Sequence, residues 1–141
     1  MKIRSITVFC QPGFPVNRLL LQQVGIFANH ARKLYQDAGF EVQSLRLATP
    51  PFEKYIAPVD LALAAQNYAI EAHADGFEYI SLGPIQAVSL DWNHIPEALS
   101  KSDRIFLSGN LTTSEGTVSL KAARACAETI VQLSVPSEVV M

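Results

Sequence analysis

The sequence predicts an α/β domain, in which alternating strand and helix units build a parallel sheet of at least four strands with flanking helices. Three observations carry this. Four short runs rich in β-branched and aromatic residues recur along the chain, each ending at turn residues and each followed by apolar residues at helical spacing. The junction Asp37-Ala38-Gly39-Phe40-Glu41 returns as Asp75-Gly76-Phe77-Glu78, the same helix stop and strand start, so the two units are wound alike. A composition of 49% hydrophobic and 17% charged residues excludes a disordered chain, and its even spread excludes a membrane protein.

One domain over residues 1–141 is expected, long enough to bury about 68% of the surface its unfolded chain would expose. The formal charge of -2, with no Lys/Arg cluster, leaves no electrostatic footprint for nucleic acid or an anionic membrane, and neither is expected as a partner. Ile6 to Cys10 follows Lys2 and Arg4 but is too short for a signal-peptide core and leads into Gln11-Pro12-Gly13, so no export is expected. Cys10 and Cys126 stand far apart and read as reduced structural thiols, which points to a cytoplasmic location.

Ile3 to Cys10 reads as the first strand. Asn17 is a good N-cap, and Leu20, Val24, Phe27, Ala31, Leu34 and Ala38 at steps of three and four predict a long amphipathic helix, stopped by Gly39. Phe40 to Leu47 is the second strand, whose Glu41, Gln43 and Arg46 predict partial exposure at a sheet edge. Ala48-Thr49-Pro50-Pro51 is expected to be irregular, because two prolines remove amide donors. Pro58-Val59-Asp60 then opens a second helix with Leu61, Ala64, Ala65, Tyr68, Ala69 and Ala72 on one face, ending near Gly76.

Phe77 to Leu82 is the third strand, closed by Gly83-Pro84, and its apolar residues on both parities predict cover on both faces. Ala87 to Trp92 is ambiguous, and Asn93 is a candidate cap for a short helix of Ile95 to Ser100 with Pro96 in its first turn. Arg104 to Ser108 is the fourth strand, followed by a Gly/Asn/Thr/Ser loop and an apolar-periodic helix from Val118 to Leu133. Right-handed crossovers in such a chain give parallel neighbours, for which the expected strand order is 2-1-3-4 with the fourth strand at an edge. Val135-Pro136 to Met141 is apolar where a fifth strand could begin, an ending that reads as cut or partnered.

Arg4-Ser5-Ile6-Thr7-Val8, Tyr79-Ile80-Ser81-Leu82-Gly83-Pro84, Ile95-Pro96-Glu97-Ala98-Leu99 and Asp103-Arg104-Ile105-Phe106-Leu107-Ser108, with Asn110 and Gly116 beyond, resemble the DUF711 (UPF0210) family in order and spacing. The family is uncharacterised. The resemblance implies a fold similar to the pyruvate formate-lyase-like (PFL-like) barrel, of which four strands would supply most of one half, and implies that this chain is the amino-terminal part or a short relative of longer members. It brings no catalytic residue, and no Arg-Val-x-Gly-aromatic segment of the glycyl radical kind is present in the sequence.

In an open α/β sheet, ligands sit at the carboxyl ends of the strands, which places a candidate pocket at Gln11 to Asn17, Thr49 to Phe52, Gly83 to Gln86 and Ser108 to Gly116. Within it, the Ser108 to Thr117 loop offers hydroxyls at Thr112, Thr113, Ser114 and Thr117 beside a helix start that could hold a phosphate or carboxylate, whereas the plainer reading makes Ser114 or Thr117 a helix cap, with Glu115 favouring the dipole or closing a capping box from Thr112. Asp91-Trp92-Asn93-His94 could supply an acid, a base and an aromatic wall, against the plainer reading that Asp91 or Asn93 caps the short helix and Trp92 packs over the sheet end. The candidate binding residues are therefore Gln11, Asn17, Gly83, Asp91, His94, Ser108, Asn110, Thr112, Thr113 and Ser114.

Cys10 ends the first strand without an adjoining base, and His30, His73 and His94 have no metal-site spacing, so no metal is assigned and the cofactor stays unknown. Glu53, beside Lys54, reads as part of a solvated loop. No motif specifies a reaction. The sequence supports an α/β protein, part of an enzyme that binds a small polar or anionic metabolite at the strand ends, or alternatively a non-catalytic assembly or ligand-sensing module. A bare edge on the fourth strand predicts a homo-oligomer, with Ile105, Leu107 and Val139 to Met141 near the contact.

Overall fold

A computed structural model describes residues 1–135, so the possible fifth strand and the contact role of Val139 to Met141 lie outside the described residues. Among those residues the elements run β1 (Lys2–Ile3), β2 (Ile6–Phe9), α1 (Arg18–Asp37), β3 (Glu41–Val42), β4 (Leu45–Pro51), α2 (Leu61–Ala74), β5 (Tyr79–Ile85), α3 (Ile95–Ser100), β6 (Ile105–Gly109) and α4 (Leu120–Ser134). The four main strands are parallel, and their order is β2-β4-β5-β6. Short β1 pairs with β3 and continues the β2 to β4 ladder past a break, where Ser44 Oγ donates to Arg4 O at 3.1 Å.

That order is 1-2-3-4, not 2-1-3-4, and the second main strand is interior instead of at an edge. The reason lies in the side-chain alternation. Ile6 and Val8, Leu45 and Leu47, Ile80 and Leu82, and Ile105 and Leu107 pack with the core, while the alternate residues Phe9, Tyr79 and Phe106 are 78%, 39% and 50% exposed. A doubly wound sheet needs apolar residues on both parities, whereas sequential right-handed crossovers put every helix on one face. The third strand is therefore covered on one face only. The fourth does lie at an edge, with β2 at the other.

Asn17 caps α1 through Oδ1, which accepts from Leu20 N at 3.1 Å. The buried face of α1 is Leu21, Gly25 and Ala28, rotated from the expected one, so that Phe27 and Leu34 stand 64% and 57% exposed. Small residues decide this, since a Cβ on Gly25 would lie 2.7 Å from Asp75 Cβ at the end of α2. The buried face of α2 is the expected one, Leu61, Ala64, Ala65, Tyr68, Ala69 and Ala72. The echoed junctions also fold alike: Gly39 and Gly76 adopt positive φ, and Phe40 N and Phe77 N reach back to Tyr35 O and Ala72 O, each at 3.0 Å.

Thr49-Pro50-Pro51 is extended in β4, contrary to the irregular loop expected. Cys10 N to Ala48 O is the last bond from the β2 side, so both prolines fall where that flank needs no further donors, and a register shift between Ala48 and Pro51 absorbs them against β5. In the same way β5 runs through Gly83-Pro84 to Ile85. α4 begins at Leu120 and is capped by Ser119, which accepts from Ala122 N at 3.1 Å, so neither Ser114 nor Thr117 caps it. Val118 is instead bridged antiparallel to Thr112, closing a small hairpin ahead of the helix. No helix among the described residues is long and apolar enough to cross a membrane.

Candidate functional site

The face of the sheet that carries no helix holds a concavity of about 460 Å³, lined by Thr7, Phe9, Arg46, Leu47, Ala48, Tyr79, Ser81 and Phe106. Register explains its shape. Thr7, Arg46 and Tyr79 form one row across the strands, and Phe9, Ala48, Ser81 and Phe106 form the next. The small side chains of Ala48 and Ser81 thus floor a trough between two aromatic walls on the outer strands, about 14 Å apart at the usual strand spacing. Tyr79 closes one end, meeting Phe106 edge to face with ring centres 5.5 Å apart.

Arg46 gives the trough its charge. Its guanidinium lies over the Tyr79 ring, 5.5 Å from the centroid, and Nε donates to Ser44 Oγ at 3.4 Å. Arg18, Arg32 and Arg124 are ion-paired, whereas among the described residues Arg46, like Arg4 and Arg104, has no carboxylate within ion-pair distance, and no acidic residue lines the trough. A half-buried, aromatic-stacked guanidinium with free terminal donors is a ready partner for a carboxylate or phosphate.

None of the residues singled out from sequence lines this trough. Asn17 spends its side chain on the α1 cap, and Gly83 admits the β4 backbone, since a Cβ there would lie 2.1 Å from Pro50 O. Asn110 Nδ2 donates to Gln86 Oε1 at 3.2 Å, and Gln86 N donates to Glu53 Oε2 at 2.8 Å, so Glu53 ties the chain to the end of β5 and is no solvated bystander. Thr113 and Thr117 share a hydroxyl bond of 2.7 Å within the hairpin, which leaves Thr112 and Ser114 exposed on a self-contained turn. Gln11 is exposed, Ser108 borders a groove beneath α4, and Asp91 bonds locally with Ser89. His94 ends the single helical turn Trp92–His94 that precedes α3, and neither Asp91 nor Asn93 caps by its side chain.

At the carboxyl end of β2, burial pushes the Cys10 thiol above its ordinary value, which disfavours the thiolate a nucleophile needs. Tyr68 Oη donates to Gly13 O at 2.9 Å, and Tyr55 Oη is buried without a hydrogen-bond partner. Burial pushes both phenols up, Tyr68 further than Tyr55. Both cysteines are free, and no group of metal-ligating side chains is assembled among the described residues. A larger depression, about 700 Å³, lies outside α1 against the end of α2, but Asn29 Nδ2 there is already bonded to Gly25 O and Asp75 O.

Sequence reasoning passed over Thr7, Phe9, Arg46, Tyr79, Ser81 and Phe106. The signal is present as period-two contrast: over residues 6–9, 45–48, 79–82 and 105–108 each main strand has aliphatic residues on one parity and polar, small or aromatic residues on the other.

A family model described as Uncharacterised ACR (DUF711) matches residues 1–139, which takes in all four segments that carry the resemblance. No curated protein and no solved structure matches the chain.

Proposed function

The chain belongs to the DUF711 family, and from that membership we propose that it supplies one wall of a chamber, part of an enzyme, that binds a small polar or anionic metabolite on the bare face of the sheet. The single observation behind this reading is the uncompensated Arg46 set in a trough on a helix-free sheet face. Four parallel strands in sequential order with helices on one side have the geometry of a half-barrel, and the bare face corresponds to the interior of the PFL-like barrel that the family resemblance implies. The two free cysteines support a cytoplasmic setting. A thermal-shift screen of metabolites on the purified chain and on Ser81→Trp, which fills the trough, tests the reading. At least one metabolite should raise the melting temperature of the parent and not of the variant; stabilisation that survives the filled trough, or no stabilisation by any metabolite, refutes it.

A second reading, self-association, is supported by the edges of β2 and β6, unpaired among the described residues, and by exposed Phe106 on the edge strand. Ile105 and Leu107 face the core, so Phe106 replaces them as the side chain available for such a contact. Light scattering at micromolar concentration should then give a mass above 15.4 kDa, and a monomer there removes this reading.

A further inference from the structure

Building on the reading of the bare face as a binding face, we infer that its ligand is a small carboxylic acid with a flat apolar body, the carboxylate on Arg46 and the body over Ala48 and Ser81 between Phe9 and Phe106. The charge argument comes first. Arg46 is held from two sides, by Ser44 Oγ on Nε and by the Tyr79 ring beneath the guanidinium, so its planar fork is pre-oriented while its terminal nitrogens keep their donors. A carboxylate matches that fork with two parallel hydrogen bonds, and Thr7 stands beside Arg46 in the same row with a further hydroxyl.

The shape argument is independent of the charge. Across the adjacent row, the floor is made of the two smallest side chains on this face, Ala48 and Ser81, while the flanks are Phe9 and Phe106. A slot with so low a floor and walls about 14 Å apart leaves room for a flat body lying on Ala48 and Ser81 with an edge toward one aromatic wall, and Ser81 offers one hydroxyl to a polar substituent on it. A highly charged, strongly hydrated ligand would waste these walls. The exposed rings gain most from an apolar body that covers part of them.

Benzoate is the probe, compared with benzyl alcohol, which has the ring without the charge, and acetate, which has the charge without the ring. Titrations of the ¹⁵N-labelled chain should show saturable benzoate shifts at Thr7, Arg46, Tyr79 and Ser81. Benzoate should bind about tenfold tighter than benzyl alcohol, the size of effect that one charge-assisted pair commonly carries, and about tenfold tighter than acetate through the ring area it covers. Arg46→Gln should remove the preference for benzoate over benzyl alcohol, and Arg46→Lys should keep part of it. Equal binding of benzoate and benzyl alcohol on this face overturns the carboxylate assignment but leaves the face as a binding face. Binding of acetate as tight as benzoate overturns the flat body. If none of the three shifts these residues, this inference fails, while the reading beneath it stands or falls by the thermal-shift screen. Should Arg46→Gln lose its folded spectrum, the comparison of the three compounds on the parent chain still decides the matter.

Discussion

Gly109 lies against Trp92 so closely that a Cβ on the glycine would come within 2.4 Å of the indole Cη2. The contact locks the end of β6 onto the turn that precedes α3, and Trp92 is 7% exposed there. Gly109→Ala forces a buried ring to move, so it should lower unfolding stability by about 1–3 kcal/mol. Trp92 is the chain's one tryptophan, so its fluorescence in a urea titration reads the effect directly, and the loss, followed by circular dichroism, should shrink when Gly109→Ala is made in a Trp92→Phe background.

Glu78 joins three elements. Its Oε2 accepts from Leu45 N at 2.6 Å and its Oε1 meets Arg32 Nη2 at 2.5 Å, which fixes the start of β4 against β5 and α1. Glu78→Ala should cost about 1–2 kcal/mol, mostly through the backbone bond, because the ion pair is partly open to solvent. A urea midpoint unchanged by the substitution would contradict this role.

Alkali should unfold the chain earlier than its charge alone would. Burial raises Cys10, Tyr55 and Tyr68 from ordinary values of 9.0, 10.0 and 10.0, so the folded chain keeps protons that the unfolded chain releases. Their contribution is complete below about pH 9 and is lost as pH rises through the ordinary values toward the raised ones. Melting temperatures from pH 8 to 11 should fall, and Tyr55→Phe should flatten the fall. At neutral pH Tyr55→Phe should leave stability unchanged or raise it, since the hydroxyl it removes is buried without a partner.

Cys10 should alkylate slowly in the folded chain at pH 7 and fast in denaturant, because burial keeps it a thiol. Intact mass after denaturing alkylation should count two free thiols. A Cys10 to Cys126 bridge in freshly purified protein would contradict it.

The parts of the fold that were legible in the sequence are those in which a local rule acts alone. The α2 face, the Asn17 cap and the paired Gly39 and Gly76 junctions follow from helical spacing and from φ that favours glycine. What failed was set by contacts distant in sequence. The face of α1 turns on how closely Gly25 meets Asp75, and the persistence of β4 through Pro50 and Pro51 depends on β2 having already ended. Strand order failed because crossover handedness alone does not fix it; what does is the parity that puts Tyr79 in one row with Arg46 and Thr7 on an open face. The trough was not legible from the loops because it is built from residues on the strands themselves, brought together by register across four strands.

The central claim is that the helix-free face binds the ligand, and amide shift mapping with the most stabilising metabolite from the thermal screen tests it most directly. The account predicts shifts confined to Thr7, Phe9, Arg46, Ala48, Tyr79, Ser81 and Phe106 and their immediate neighbours. Shifts centred instead on Gly25, Asn29 and Gly76, in the depression outside α1, would contradict it.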